Sequence, residues 1–523
     1  MSALPLTTLS EAGPMQRVRQ SFSDFLDRYR ERLRHLFHTR TTADRLNLER
    51  GLPPWALSLV REVDPLTVYV PREYGGRGNI LSECLSMLET TGYESLPLCL
   101  TVGINGGLFL QPVGKYGSEA IRRTVYDGFL RDKKMGGLMI TEPDYGTGAL
   151  SMQTACTATG RDSYHIQGTK HWAGLTGWAD YWLLTARARA GDGKLRRDID
   201  FFVCDVHAPG QHIEVEEVYN NLGLRMIPYG LNKIDVEVPA LARLNPKSTG
   251  IKMMLDILHR SRLQFPGMAM GFLRRMLDEA VEQSRERFVG GKPLFDYDQV
   301  KARLARLQAS VTACAAMCLH SSENAGVERD LSGEGLKANA MKTVVTDLMH
   351  EASQSLLQLM GAKGYRLDHI AGRSTNDSRP FQIFEGSNDI LYQQISESVL
   401  KSMRRMKESN LYRYLKQNDS TARAADYFRD VLSFDVDWSL PQRKLVDLGK
   451  ALGRIMSMEM TIEMGERGYR QDLIANALEE FRAEVNGIME TYRTGGLTAV
   501  IEDYRDDSGW LQFVETAAVR SVG

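Results

Sequence analysis

The feature that most limits what this chain can fold into is a change of texture near residue 136 that reverses near residue 240. Between those points run short segments rich in β-branched and aromatic residues: Leu138-Met-Ile, Ser163-Tyr-His-Ile, Asp180-Tyr-Trp-Leu-Leu-Thr, Ile199-Asp-Phe-Phe-Val-Cys, His212-Ile-Glu-Val and Lys233-Ile-Asp-Val-Glu-Val. Gly, Pro, Asn and Asp separate them, the pattern of a small all-β domain of the barrel or sandwich kind. Helical periodicity dominates on both sides. Val18, Phe22, Phe25, Leu26, Tyr29, Leu33 and Leu36 recur at three- and four-residue steps, predicting an amphipathic helix over about Met15–Phe37. Pro53–Pro54 starts a short second helix, and helical segments continue to about Arg131, broken at Gly106–Gly107 and Gly117. After Pro239, Phe265, Met268, Phe272, Met276 and Ala280 mark one face of a long helix. Segments 300–327 and 334–360 repeat the period, as in a helical bundle.

The expected fold is therefore mainly α with an inserted β domain. It divides into an N-terminal helical domain (1–135), a central β domain (136–240), a C-terminal helical bundle (241–405) and a helical extension (406–523). A chain of 523 residues is too long for one hydrophobic core, which agrees with several packed units. The formal net charge of −1 offers no global field for nucleic acid or an anionic membrane. Basic and acidic residues nearly balance in the extension too, so it does not read as a DNA-binding tail. The six cysteines form no CxxC pair and no zinc-type spacing, and their usage fits a reducing compartment. No signal peptide and no transmembrane segment is expected, so the expected location is cytoplasmic.

Chemistry concentrates in Asn376-Asp-Ser-Arg-Pro-Phe-Gln-Ile-Phe-Glu-Gly-Ser-Asn-Asp-Ile-Leu391. Glu385 follows an apolar run, where partial desolvation raises a carboxylate towards the range of a working base. Alone, the motif favours the plainer reading of an acid at a helix start capped by Ser387 or Asn388. Upstream, Thr141-Glu-Pro-Asp-Tyr-Gly-Thr-Gly148 is a glycine-rich loop offering backbone N–H groups to a flat or anionic ligand. Gln167-Gly-Thr-Lys-His-Trp-Ala-Gly174 sets Trp172 on the next strand pair, where an indole can wall off a flat ring.

Together and in this order, these segments resemble the acyl-CoA dehydrogenase family: its TEPxxGSD-like loop, its GxKxWITN-like strand and turn, and its FEGTNDI-like motif with the catalytic glutamate. Weaker likenesses lie at Pro71–Gly78, Arg287–Leu294 and Gln358–Tyr365, and the resemblance covers about residues 15–400. It implies an N-terminal helical domain, a central β-barrel, a C-terminal four-helix bundle and FAD as cofactor. By position, Leu138, Ile140, Thr141, Thr147, Trp172 and Gly174 would contact the flavin, and Ser387 and Asp389 its ribityl–phosphate part. Arg287, Gln358 and Gly361 would come from a partner chain to hold the pyrophosphate and adenosine end. Thr147, Arg262 and Gly386 would meet the substrate. Glu385 would take the α-proton of an acyl thioester while a β-hydride passes to flavin N5, giving the trans-2-enoyl thioester. Some family members carry the glutamate on an earlier helix, before an arginine. That position here is Ser261, before Arg262, so only Glu385 remains as a carboxylate base.

Departures cluster around the cofactor. Gly174 stands for the usual Thr, which removes a side-chain hydroxyl near N5. Thr147 and Gly148 stand for Ser and Asp, Val289 for a Thr, Gly290 for an aromatic residue and Asn376 for an Arg. Motif and extension resemble the very-long-chain branch, whose extra helices replace a second dimer, so a homodimer is expected. Implied partners are acyl-CoA or acyl-carrier-protein thioesters and an electron-transfer flavoprotein or similar acceptor. Rival readings are an acyl-carrier-protein dehydrogenase or an acyl-CoA oxidase on the same fold, or a flavoprotein scaffold associated with nucleic acid. The sequence does not specify acyl length.

Overall fold

A computed structural model describes residues 20–146, 148–496 and 499–514. Its first helix, α1 (Phe22–Arg34), buries Phe25, Leu26, Tyr29 and Leu33, and Ser21 caps it by accepting from the Asp24 N–H. It runs into a π-helical turn at His35–Arg40. The expected beginning of this helix, before residue 20, lies outside the described residues. A helix at Ala43–Glu49 precedes the one that Pro54 starts, so among the described residues the latter is third rather than second. Helices α2 (Leu81–Glu94), α3 (Leu96–Gly103) and α4 (Gln111–Tyr116) follow. Gly106–Gly107 does not break the chain here. A π-helical turn, Ile104–Leu110, joins α3 to α4, and such turns gather at functional sites. The run Leu96–Tyr116 is long and apolar enough to cross a membrane, yet 89% of its apolar window packs inside the protein.

The β domain holds β1 (Gly136–Met139), β2 (Ala155–Thr159), β3 (Ser163–Gly174), β4 (Tyr181–Ala188), β5 (Asp200–Asp205), β6 (Gln211–Val218) and β7 (Tyr229–Pro239). They pair in the order β1-β4-β2-β3-β7-β6, with β5 forking off β4, so this sheet wraps without closing into a full barrel. The segments around Ser163 and Trp172 are one continuous strand rather than neighbours in a pair. Strand β2 escaped the sequence reading because Ala155-Cys-Thr-Ala-Thr carries no aromatic or large aliphatic residue.

Helix α5 (Gly250–Glu286) is the axis of the C-terminal half. It packs against α2, α6 (Asp298–Asn324) and α7 (Gly335–Met360), and the five residues expected on one of its faces are all buried. Pro266 sits inside it and removes one helical donor. One residue on from the carbonyl this frees, that of Leu263 accepts from the Ser321 hydroxyl at 2.6 Å. Then come α8 (Ile370–Ser378) and α9 (Asn388–Met406).

The extension folds back as an antiparallel-type pair, α10 (Gln442–Glu466) and α11 (Gln471–Thr494), seated on α6, α7 and α9. Gly449 permits the contact, since a Cβ there would fall 2.0 Å from the Tyr392 carbonyl oxygen. Charges lock the seat. Arg454 bonds Glu484 at 2.8 Å and Asp347 at 3.1 Å, while Arg306 bonds Glu484 at 2.7 Å and Glu351 at 2.8 Å.

Candidate functional site

The turn before α9 places Glu385. Phe381 and Phe384 pack on each other at 4.9 Å between ring centroids and on Phe265 of α5 at 5.9 and 6.1 Å, pinning the turn to the bundle. Glu385 itself has φ +53°, a left-handed conformation that a glutamate adopts only when its surroundings enforce it. Ser387 occupies the N-cap of α9, but its side chain makes no capping bond, so the helix-cap reading of this segment does not describe it. Asn388 is held instead by Lys342 and Asp347, at 2.9 and 2.7 Å.

The Glu385 carboxylate reaches an apolar cleft walled by Leu88, Leu100, Ile104, Leu108 and Met268, with Ser261 and Gln264 on its polar side. Oε1 accepts from the Ser261 hydroxyl at 2.8 Å. Oε2 is sealed from solvent and has no hydrogen-bond partner. Burial pushes the carboxyl above its ordinary range, and Ser261, Arg262 and Lys342 pull it back only in part. The position whose serine excluded a second carboxylate base thus touches Glu385 directly.

Two cations grip the backbone of the turn. Arg262 donates twice to the Glu385 carbonyl, at 2.7 and 3.1 Å, and once to Asn339 at 2.7 Å. Lys342 donates to the Gly386 carbonyl at 2.8 Å. Burial drives Lys342 down to about 7, with Glu385 pulling the other way. With both carbonyls turned towards cations, no described acceptor takes the N–H of Glu385 or Gly386. An unpaired carboxylate oxygen and a free N–H on one residue make a base with an adjacent oxyanion donor.

The β domain carries the segments expected to meet a flat cofactor. Lys170, fully buried in β3, bonds Glu142 at 2.8 Å, the Ile140 carbonyl at 3.1 Å and Thr185 at 3.0 Å. Glu142 also accepts from the Thr154 N–H at 2.9 Å and from the Gln153 N–H. This clamp fixes the start of the Thr141–Gly148 loop between three strands. Trp172 sits at a β-bulge with φ +55°, and its indole is 53% exposed with one face against Tyr219 at 4.5 Å. Leu138, Ile140 and Thr141 are half-buried at the end of β1, and Gly174 is buried. Thr147 lies outside the described residues. An exposed indole at a strained bulge, a fixed glycine-rich loop and an unpaired buried carboxylate together fit a flat, partly apolar group such as a flavin.

Asp389 is exposed in the first turn of α9 and Gly386 is exposed beside Glu385. Arg287, Gln358 and Gly361 form a separate, surface group: Arg287 donates to the Leu359 carbonyl at 3.3 Å and borders Gly361. Arg287 follows Arg262 by the C-terminal two-thirds of α5, about 37 Å at 1.5 Å per residue. Sequence reasoning missed Lys342, Gln264, the Lys170–Glu142 pair and the donor role of Ser261. A visible sign existed for Lys342, a lone cation in Ala338-Asn-Ala-Met-Lys-Thr-Val-Val345.

Three family models match in chain order: "Acyl-CoA dehydrogenase, N-terminal domain" over residues 19–133, "middle domain" over 137–235 and "C-terminal domain" over 248–400. The short-chain specific acyl-CoA dehydrogenase of Megasphaera elsdenii is 25% identical over 62% of this chain and 83% of its own. The mitochondrial very long-chain specific enzyme of Macaca fascicularis is 22% identical over 64% of this chain and 51% of its own. Among solved structures, an acyl-CoA dehydrogenase from Bacillus anthracis complexed with FAD superimposes with a TM-score of 0.72 at 16% identity. That match covers 94% of this chain and 92% of the other, so the fold similarity reaches into the extension.

Proposed function

The chain belongs to the acyl-CoA dehydrogenase family, and from that premise we propose that it oxidises an acyl thioester to the trans-2-enoyl thioester with Glu385 as base. The family is FAD-dependent, and the bound flavin supplies the acceptor for the β-hydride. The observation that carries the reading is the unpaired, solvent-sealed Oε2 of Glu385 at an apolar cleft.

In this reading the acyl chain lies against Leu88, Leu100, Leu108 and Met268, which exclude water from the α-carbon. The thioester oxygen accepts from the Glu385 N–H, which stabilises the enolate-like charge as the proton leaves. Arg262, on the carbonyl of the same residue, brings positive charge towards that centre. Oε2 takes the α-proton, and the Ser261 hydroxyl at Oε1 holds the carboxylate in orientation. Lys170 and Glu142 fix the loop beside the cofactor without touching the reacting atoms.

The site is complete only in a dimer on this account. Arg287 lies about 37 Å along α5 from Arg262, and Gln358 and Gly361 at the end of α7 gather beside it, so on this reading each chain lends the three to its partner. The extension supports a place near the very-long-chain branch, because α10 and α11 cover bundle faces that would otherwise be open. An electron-transfer flavoprotein or a similar one-electron carrier is the acceptor that fits this chemistry.

The test is an anaerobic screen of acyl-CoA and acyl-carrier-protein thioesters of increasing length, read by loss of flavin absorbance. At least one thioester bleaches the flavin within the mixing time of a stopped-flow or manual experiment. A holoenzyme that no thioester reduces would remove the assignment.

A further inference from the structure

A base on one side of the thioester needs the hydride acceptor on the other, because the α-proton and β-hydride leave from adjacent carbons. The wall facing Glu385 from the β domain is therefore where the reacting edge of the flavin belongs. Gly174 and Tyr229 form that wall. They are cross-strand partners at the end of the β3–β7 ladder. A Cβ on Gly174 would stand 3.3 Å from Cε1 and Cζ of Tyr229 and 2.7 Å from Cδ1 of Ile104. Ile104 lines the Glu385 cleft. The hydroxyl-bearing end of the phenol thus lies over Gly174, at the rim of the cleft that Glu385 enters.

The same geometry explains why residue 174 carries no side chain. A threonine there would meet both the phenol and Ile104, so the hydroxyl expected on this strand has no room. Resting on the functional reading above, we propose that Tyr229 takes over that task, donating a hydrogen bond to the reacting edge of the flavin. No described side chain accepts from the Tyr229 hydroxyl, so it is available to a ligand. Burial first, and then the nearby Glu385 charge, push the phenol well above its ordinary range, so it stays protonated and a donor across the working pH. Its position is set from two sides. The Tyr219 N–H donates to the Tyr229 carbonyl at 2.7 Å, and Asp377 of α8 accepts from the Leu224 N–H at 2.6 Å, fixing the loop that enters β7.

The contribution is to the oxidised flavin, whose N5 lone pair can accept from the phenol; once N5 carries the hydride's hydrogen it no longer accepts, and the bond is lost. Tyr229 transfers no proton and no electron in this role.

The experiment is a reductive titration of the full-length holoenzyme and its Tyr229→Phe variant with dithionite and a reference dye, without any thioester. The variant keeps one FAD per chain, and its reduction equilibrium rises about tenfold, ~30 mV for a two-electron couple, with a shift in the visible flavin bands. A Tyr229→Phe enzyme with the wild-type potential and spectrum overturns the proposal. So does loss of FAD on this near-isosteric change, which would make Tyr229 a holding residue. Because no thioester enters the titration, failure of the dehydrogenase reading and failure of this one are seen separately.

Discussion

Two regions of the bundle bury carboxylates and treat them in opposite ways. At the seat of the extension, burial pushes Asp347 up, but Arg454, Tyr392 and Gln382 outweigh it and hold the carboxyl below its ordinary range. Glu484 behaves likewise between Arg454 and Arg306. At the turn before α9, burial pushes Glu385 up and wins, because Arg262 and Lys342 spend their donors on main-chain and asparagine carbonyls and only Ser261 reaches the carboxylate. The cations are of the same kind in both places. What separates the two kinds of buried acid is where the donors point.

The largest effect should come from breaking the saturated region. Arg454→Met leaves Asp347 and Glu484 buried with one cation fewer, a loss of about 3–5 kcal/mol. Urea unfolding followed by circular dichroism measures it, and an unchanged midpoint would mean the network contributes little to seating α10 and α11.

A smaller effect follows from removing the one donor that reaches the Glu385 carboxylate. Ser261→Ala takes away a bond that lowers Glu385, so its pKa climbs further. A base works only when ionised, so flavin reduction falls on the acid side and that limb moves to higher pH. Pre-steady-state reduction across pH tests this. A limb that stays put, or moves down, would separate Ser261 from the tuning of Glu385.

The smallest effect concerns stability. A carboxyl whose folded pKa is raised ionises more readily in the unfolded chain. Its ionised form therefore costs stability once the pH passes its unfolded value, and that cost is fully felt above the folded one. Glu385→Gln should melt slightly higher than the parent at neutral pH, by less than about 1 kcal/mol. A lower melting temperature would show that the Ser261 and cation contacts outweigh burial.

The order of helices, β domain and bundle was legible in the sequence because periodicity reports on whole elements. Glu385 was legible because its apolar approach and the glycine after it are local. Contacts between distant segments were not. Ser261 and Glu385 meet across α5 and the turn, 124 residues apart in the chain. Tyr229 opens β7 and carries no motif, and its importance arises only from the register that pairs it with Gly174. The continuity of β3 was hidden by the bulge at Trp172, where alternation slips by one residue. The seat of the extension was equally silent, since Arg454 and Glu459 on α10 are both buried and charged residues are read as exposed until partners are known.

The central claim is that the unpaired oxygen of Glu385 removes the α-proton. It is met most directly by mixing Glu385→Gln holoenzyme anaerobically with the thioester that best bleaches the parent enzyme. The account predicts a variant that keeps its flavin and loses reduction by about three orders of magnitude, within the range that a general base contributes. Reduction at close to the parent rate would contradict it.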